Sequence, residues 1–232
     1  MKKLFSGSPF LIIFLALMLY NSITSGRFDD PKAWLMDTLM RLPAIVIAIT
    51  FHEFMHAYSA WKLGDQTPKA QNRVTLNPIA HIDPIGIIAL VFVGFGWGKP
   101  VQVNPYAFRK NPRRSNIIVD VAGVSMNCLI AFICMPFFIL SSNAIVSDIL
   151  FWTVYFNIVL MVFNLLPVPP LDGFGIVTEV FDLRKFSWYR TFYNSGFFIL
   201  MFLIFFGIVG RILGPALNFI YNLFYSIWIF IL

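Results

Sequence analysis

The stretch AIVIAITFHEFMHAYSAW, residues Ala44–Trp61, combines an apolar run with three ionisable side chains. His52, Glu53 and His56 fall within five positions of a sequence that otherwise suits a lipid environment. An ionisable side chain at membrane depth costs roughly 2.5–3.5 kcal/mol on insertion scales, so it needs a compensating partner. The stretch therefore predicts a membrane-embedded helix whose polar side chains face other parts of the protein.

The composition of the whole chain indicates a membrane protein. Of its 232 residues, 59% are hydrophobic and 12% are charged, whereas soluble domains carry about 25% charged residues. The length suits a single membrane domain, residues 1–232, so we expect an all-α polytopic protein with about six transmembrane helices. The net charge of +6 does not indicate nucleic acid, because the basic residues cluster between hydrophobic runs as orientation signals do.

The hydrophobic runs predict the individual spans. They are 9–25, 42–62, 115–140, a proline-broken fourth span at 149–181, 192–210 and 214–232. Between spans two and three, segment 63–114 contains the apolar patch Pro84–Gly98, which is short and interrupted by glycines. We expect this patch to be re-entrant or interfacial. The N-terminal run resembles a signal peptide without a convincing cleavage site, and we interpret it as an uncleaved first helix.

The distribution of Lys and Arg predicts the orientation of the chain. With a cytoplasmic N-terminus, thirteen basic residues lie on the inner side and four on the outer side. The predicted outer loop Ser141–Asp148 has no basic residue. Because cytoplasmic loops carry an excess of Lys and Arg, we expect a multi-pass protein of the cell membrane with both termini in the cytoplasm.

The spacing of the two histidines suits a metal ion. His52 and His56 are four residues apart, so on a helix they share one face, one turn apart. Two imidazole nitrogens so placed can bind one zinc ion at about 2.0–2.1 Å. With Glu53 between them, the pattern His-Glu-x-x-His is a zinc metalloprotease signature in which Glu is the general base. The alternative is two core histidines and a glutamate satisfied by other helices, and the cost of an unneeded glutamate disfavours it.

A catalytic zinc site normally keeps three protein ligands and one open position, and Asp172 is the candidate for the third ligand. It lies in the hydrophobic stretch FNLLPVPPLDGFGI, Phe163–Ile176, directly after a segment with three prolines. Proline cannot continue a helix, so we expect extended backbone over about 165–171, buried in protein or lining a watery cavity. The alternative for Asp172 is a helix cap at the membrane interface.

The motifs HEFMH and NLLPVPPLDG together resemble the site-2 protease family of intramembrane zinc metalloproteases. They occur in the family's order, more than a hundred residues apart, each in a hydrophobic span. The segments LNPIAHIDPIG, GWGKPVQVNP and AGVSMN also resemble compact bacterial and archaeal members. The resemblance covers about residues 42–182 and implies a catalytic core there, with 9–25, 192–210 and 214–232 as accessory helices.

The resemblance also implies a site and an activity. His52, His56 and Asp172 would hold one zinc ion per chain, Glu53 would activate water, and Asn164 matches the family asparagine that is thought to hold the substrate or the oxyanion. The implied activity is hydrolysis of peptide bonds within or near transmembrane segments, in regulated proteolysis or clearance of membrane-protein remnants. The implied partners are membrane-protein substrates with a transmembrane helix and the lipid bilayer, without nucleic acid.

Two other functions fit the same residues. A polytopic zinc-binding transporter could use the same ligands for a transported ion, although no inverted repeat is visible. A proteolytically silent relative could serve as a membrane scaffold, although an intact Glu53 argues against that. The sequence also departs from many relatives, because Val124 replaces a proline and neither a PDZ-like insertion nor a CBS-like pair is present.

Further polar residues have mainly structural interpretations. His81 could be a metal ligand, but the Pro and Gly residues around it suggest a turn at the membrane surface, which favours a structural or substrate-side role. Asn127 suits helix packing with an interhelical hydrogen bond. Asn104 lies in PVQVNP, which could form a strand or hairpin that holds a substrate in extended form. Cys128 and Cys134 are six residues apart, which favours core packing over a disulfide.

Overall fold

The computed structural model describes residues 9–232, so Lys2 and Lys3, at the charged start of the predicted uncleaved first helix, lie outside the described residues. The helices are α1 Pro9–Thr24, α2 Pro31–Leu63, α3 Thr67–Ala70, α4 Pro84–Val93, α5 Pro112–Leu140, α6 Ala144–Asn164, α7 Asp172–Phe181, α8 Tyr189–Phe205 and α9 Ile208–Ile231. Short 3₁₀ turns lie at Pro78–Ala80, Pro105–Ala107 and Leu183–Lys185.

The prediction of an all-α membrane protein is confirmed over residues 9–232, which contain no strand. Four helices, α2, α5, α6 and α9, are long and apolar enough to cross a membrane. α1 and α8 have 16 and 17 residues, fewer than the roughly 20 that a typical span needs. The number of six spans therefore stays a prediction.

The helix that carries the two histidines is longer than the second predicted span, because it begins at Pro31. Asp30 caps it: Oδ1 accepts hydrogen bonds from the backbone amides of Lys32, at 3.0 Å, and Ala33, at 2.9 Å. An N-cap of this kind satisfies amides that have no partner within the helix. Pro43 lies inside the helix without ending it, as membrane helices tolerate when neighbouring groups satisfy the freed carbonyl.

One face of α2 is a buried stripe with a spacing of four residues. Its members, all at most 7% exposed, are Ala44, Ala48, His52, His56 and Ala60. Residues four apart share a helix face, and small residues allow helices in a membrane to approach closely. α5 and α6 pack against α2 and against each other. The histidines therefore continue a row of alanines into a tight helix interface.

A hydrophobic cluster joins α5, α6 and α9 and holds the bundle together away from the histidines. Its buried members include Ala131, Met135, Val154, Ile158 and Leu213. The two cysteines are free thiols, partly buried against this cluster. The packing role predicted for Cys128 and Cys134 agrees with this arrangement.

The predicted break in the fourth span is confirmed, although the broken backbone has a different form. α6 ends at Asn164 and α7 begins at Asp172. The expectation of extended backbone over 165–171 is wrong, because this segment forms turns and bends. The amide of Leu171 donates to the carbonyl of Val168, for example. Local turns give backbone groups partners within the segment, which an unpaired extended chain at membrane depth would lack.

Segment 63–114 is a compact connection between α2 and α5. It contains α4, whose ten residues are too few to cross a bilayer. Whether α4 enters the membrane and returns stays a prediction.

The strand or hairpin expected at PVQVNP does not form in the described residues, where a single antiparallel bridge joins Ile82 and Gly98. Two backbone amides of this segment, which could pair with a neighbouring strand, donate to side-chain carboxylates instead. The Val101 amide donates to Glu53 Oε2 at 2.8 Å, and the Asn104 amide donates to Asp65 Oδ2 at 2.7 Å. Instead of pairing with a neighbouring strand, the segment is thus bonded to one carboxylate within α2 and to another just after its end.

Candidate metal centre

His52 and His56 lie together on the buried face of α2. Their Nε2 atoms are 2.9 Å apart, and their rings meet edge to face with an interplanar angle of 87°. One helical turn separates the two residues, so both rings can reach the same point. The spacing alone predicted this meeting.

The second nitrogen of each ring determines where the proton lies. His52 Nδ1 is 2.7 Å from Asn127 Oδ1, and His56 Nδ1 is 2.8 Å from the carbonyl oxygen of Val119. Both neighbours are acceptors, so each Nδ1 donates its N–H. A neutral imidazole has one N–H, which leaves both Nε2 atoms as lone-pair donors. Two lone pairs thus face the same small space.

Asn127 of α5 is held in one orientation by its other contacts. Its Nδ2 donates to the carbonyl of Ala48, at 3.1 Å, and to Asn157 Oδ1, at 2.8 Å. Asn157 in turn donates to the carbonyl of Thr153 at 2.8 Å. The amide oxygen of Asn127 therefore faces His52, and a network across α2, α5 and α6 fixes the ring. Outer partners of this type orient metal ligands and raise their basicity.

Asp172 brings a carboxylate oxygen to the same space from the start of α7. Its Oδ2 lies 3.3 Å from Nε2 of His52 and 3.3 Å from Nε2 of His56. This oxygen is buried and has no hydrogen-bond partner, although buried polar atoms are normally satisfied. The side chain makes no capping bond to α7, whose N-cap is Leu171. The broken segment before α7 thus aims the carboxylate at the histidines.

Gly123 of α5 leaves room at this point. A Cβ atom there would lie 2.5 Å from His56 Nε2 and 2.8 Å from His52 Cε1, closer than side chains tolerate. The ligand atoms of His52, His56 and Asp172 lie within 4.8 Å of one another. A divalent cation would satisfy two nitrogen lone pairs and one orphan oxygen together, and zinc takes such mixed ligand sets. The residues present therefore fit a zinc ion.

Glu53 lies beside this group of three. Its Oε2 accepts a hydrogen bond from the Val101 amide and lies 3.7 Å from Nη2 of Arg73. The side chain is 14% exposed. Its position next to His52 on the helix places it outside the set of converging ligand atoms while keeping it at the site's edge.

Asn164 and His81, two further residues of interest, do not join the ligand group. Asn164 is the last residue of α6, and its Nδ2 donates to the carbonyl of Leu160 at 3.0 Å. His81 is fully buried within segment 63–114, where its Nε2 lies 2.8 Å from the carbonyl oxygen of Thr75. Among the described residues, neither side chain hydrogen-bonds to a candidate ligand.

A cavity of about 210 Å³ opens beside Asp172. Asn116 and Asp120 of α5 and Glu179 of α7 contribute to its polar lining, together with Arg184, whose Nη2 lies 2.7 Å from Glu179 Oε1. Asp120 was not identified from the sequence as a residue near the candidate site. The available signal was an aspartate in an apolar helix, three residues before Gly123 and therefore on nearly the same face. The polar lining of this cavity therefore lies next to the candidate ligand Asp172.

Comparisons with known proteins agree with this chemistry. Peptidase family M50 matches residues 140–206. The chain is 36% identical over 185 residues to the "Putative zinc metalloprotease YwhC" of Bacillus subtilis (strain 168), which covers 75% of this chain and 84% of that protein. It is 26% identical over 177 residues to the "Putative zinc metalloprotease Rip2" of Mycolicibacterium smegmatis, covering 72% and 68% of the two chains. No solved structure matches the chain.

These findings settle the family. The relative from Bacillus subtilis is matched over most of its length, and the matched family M50 comprises the site-2 proteases. The long apolar helices make the chain a membrane protein, and both relatives are named as zinc metalloproteases. The chain belongs to the site-2 protease family of membrane metalloproteases.

Proposed function

We propose that this protein is an intramembrane endopeptidase that hydrolyses peptide bonds within or near transmembrane segments of other membrane proteins. His52, His56 and Asp172 hold one zinc ion per chain. The observation that carries the proposal is the convergence of two nitrogen lone pairs and one unpartnered carboxylate oxygen between apolar helices. When bound, zinc supplies a Lewis acid that lowers the pKa of water and polarises the scissile carbonyl.

Glu53 is the general base in this proposal. The Val101 amide occupies its Oε2, and Oε1 has no hydrogen bond within residues 9–232, so Oε1 is the oxygen that can take a proton from the attacking water. The same carboxyl group then delivers a proton to the leaving amine. Its hydrogen bond to Val101 holds the carboxylate at the edge of the site before the substrate arrives.

The substrate is a transmembrane helix that unwinds locally. In a helix the carbonyl of each peptide bond is already hydrogen-bonded, so the scissile bond must leave the helical conformation. Asn164 stands where α6 gives way to the broken segment 165–171, and its amide holds the substrate carbonyl or the oxyanion. The partners are membrane proteins and the lipid bilayer, without nucleic acid.

The substitution Glu53→Gln tests the reaction. It keeps the size of the side chain and its hydrogen bond to Val101 but removes the base, so cleavage of a transmembrane substrate in liposomes should fall about 10²–10⁴-fold. Zinc content, measured by atomic spectroscopy, should stay near one ion per chain. The double variant His52→Ala, His56→Ala should lose both zinc and activity. Cleavage by Glu53→Gln at the wild-type rate would remove Glu53 from the mechanism.

The same preparations separate this function from its two alternatives. A zinc transporter would move zinc across the liposome membrane and would cleave no substrate. A silent scaffold would neither cleave nor transport, in spite of bound zinc. Proteomic comparison of membranes that contain active or Glu53→Gln protein would then identify substrates as proteins that accumulate with the inactive variant.

The proposed orientation places both termini in the cytoplasm of a cell-membrane protein. It can be tested by single cysteines at Ser142 and Ser187, both exposed, in a background without Cys128 and Cys134. An impermeant thiol reagent applied to intact cells should label position 142 and not position 187. The reverse pattern would invert the topology, so that the site opens outward.

A further inference from the structure

The partners of Glu53 form a buried group that the family assignment does not explain. Glu53 Oε2 accepts from the Val101 amide at 2.8 Å and has the guanidinium of Arg73 at 3.7 Å. Val101 belongs to a segment without regular secondary structure, and Arg73 to the loop after α3. Neither residue lies on a membrane-spanning helix, so the candidate base is oriented by segment 63–114.

Arg73 is the residue that fixes this segment. It is 3% exposed, although arginine is rarely buried without partners. Its Nη1 donates to the carbonyl of Pro100 at 3.0 Å, and its Nη2 donates to the carbonyl of Lys99. These two carbonyls directly precede Val101 in the chain. One guanidinium therefore holds the backbone that presents the Val101 amide and also lies beside the carboxylate that receives it.

His81 holds Arg73 in turn. His81 Nε2 lies 2.8 Å from the carbonyl oxygen of Thr75, an acceptor, so Nε2 carries the proton and Nδ1 is free to accept. Arg73 Nη2 lies 3.4 Å from this Nδ1. The backbone closes the arrangement, because the amide of Lys99 donates to the carbonyl of His81 at 2.7 Å. His81 and the 99–101 segment thus support Arg73 from two sides.

We infer that Arg73 is a positioning residue for Glu53: it acts through its charge and through the Lys99–Val101 backbone to set the direction of the Glu53 carboxylate. This inference rests on the proposed role of Glu53 as the base. An arginine suits the task because its planar fork reaches two carbonyls and a carboxylate at once. A lysine offers the same charge at a single point.

The test compares kcat and KM of Arg73→Gln and Arg73→Lys with the wild type in liposomes. Arg73→Gln should lower kcat roughly 10-fold, a part of the 10²–10⁴-fold that a positioned base contributes. KM and zinc content should stay close to wild type, whereas Tm should fall, because the carbonyls of Lys99 and Pro100 lose their buried donor. The kcat of Arg73→Lys should lie between those of Arg73→Gln and the wild type. Arg114→Gln is the matched control, since it removes an exposed charge from the start of α5 and should leave kcat unchanged.

The same substitution in a Glu53→Asp variant tests whether Arg73 acts through Glu53. Glu53→Asp shortens the side chain and moves the carboxylate away from Val101 and Arg73. Adding Arg73→Gln to this variant should therefore lower its kcat by less than about 3-fold. Such non-additivity is expected of coupled residues. An equal loss of kcat in both backgrounds, or wild-type kcat in Arg73→Gln, would overturn the inference. If Arg73→Gln does not fold, Arg73→Lys decides, and wild-type kcat in that variant overturns it. Failure of the proposed function would look different, because the wild type would then cleave no substrate, or Glu53→Gln would cleave at the wild-type rate.

Discussion

The two sides of α2 present neighbouring residues to different surroundings. His52 and His56 continue a stripe of buried alanines and meet residues of α5 and α7, all on helices. Glu53, next in the chain to His52, meets Arg73 and Val101, which belong to a connection without strands. One side is held by helix packing and the other by a loop fixed by a buried arginine.

In the proposed mechanism, this difference separates metal binding from proton transfer. Changes on the helix side should remove or weaken zinc, because they disturb the ligand atoms or the groups that orient them. Changes on the loop side should leave zinc bound and slow the reaction, because they disturb only the base. The following predictions test this division, from the largest expected effect to the smallest.

The largest effect is expected from Gly123→Ala. The new Cβ atom would lie 2.5 Å from His56 Nε2, so the ligand rings must move, and displacements of about 1 Å can cost 10²-fold in activity. Zinc content should fall with cleavage. Gly210→Ala in α9 is the control, since a Cβ there meets no atom within 4 Å. Full zinc and full activity in Gly123→Ala would contradict the placement of the ion.

Asn127→Ala should weaken zinc binding about 10–100-fold, the range found when an outer partner of a metal ligand is removed. Competition with a chelator of known affinity measures this change, and excess zinc should restore part of the activity. Asn157→Ala should have a smaller effect, because Asn157 contacts Asn127 and not His52. Equal losses in both variants would mean that the network acts through helix packing instead of through His52.

Val101→Pro removes the amide that donates to Glu53. We expect kcat to fall roughly 10-fold, within the contribution of a positioned base, while zinc content stays unchanged. Gln102→Pro is the control, because the Gln102 amide makes no hydrogen bond within the part of the chain that the structure describes. Loss of zinc in Val101→Pro, but not in the control, would show that the two sides of α2 are not independent.

The smallest effect concerns the pH dependence of stability. Burial, with the charge of Arg73, lowers the pKa of His81 below its ordinary value of 6.5, while Thr75 and Glu53 act in the opposite direction. The folded state therefore binds fewer protons than the unfolded state, so this stabilisation is full above pH 6.5 and is lost as the pH falls through the lowered pKa.

Between pH 7 and pH 5, Tm in detergent should therefore drop, by less than the other variants change activity. His81→Gln, which cannot take up a proton, should remove that part of the pH dependence. An unchanged slope in His81→Gln would assign the effect to other groups.

Much of the fold could be predicted because membrane helices are apolar over long stretches. The predicted span 115–140 agrees with α5 to within three residues, whereas the predicted starts of the spans in α6 and α9, 149 and 214, lie five and six residues after the helices begin. The start of α2 was missed because its first turns contain Lys32, Asp37 and Arg41, so the long apolar run by which a span is identified begins only after them. The turns at 165–171 were missed because three prolines exclude a helix without choosing between extended backbone and turns.

The sequence by itself determined the two histidines as a pair, the candidate third ligand and the membrane setting, since helix periodicity and hydrophobic length are local properties. Only the tertiary structure decided which oxygen of Asp172 is unpartnered, that Asn127 orients His52, and that Gly123 leaves the space. It also decided that Arg73 lies beside Glu53 and that His81 lies beside Arg73. These contacts join residues far apart in the chain, and no local pattern encodes which distant side chain fills a given buried position.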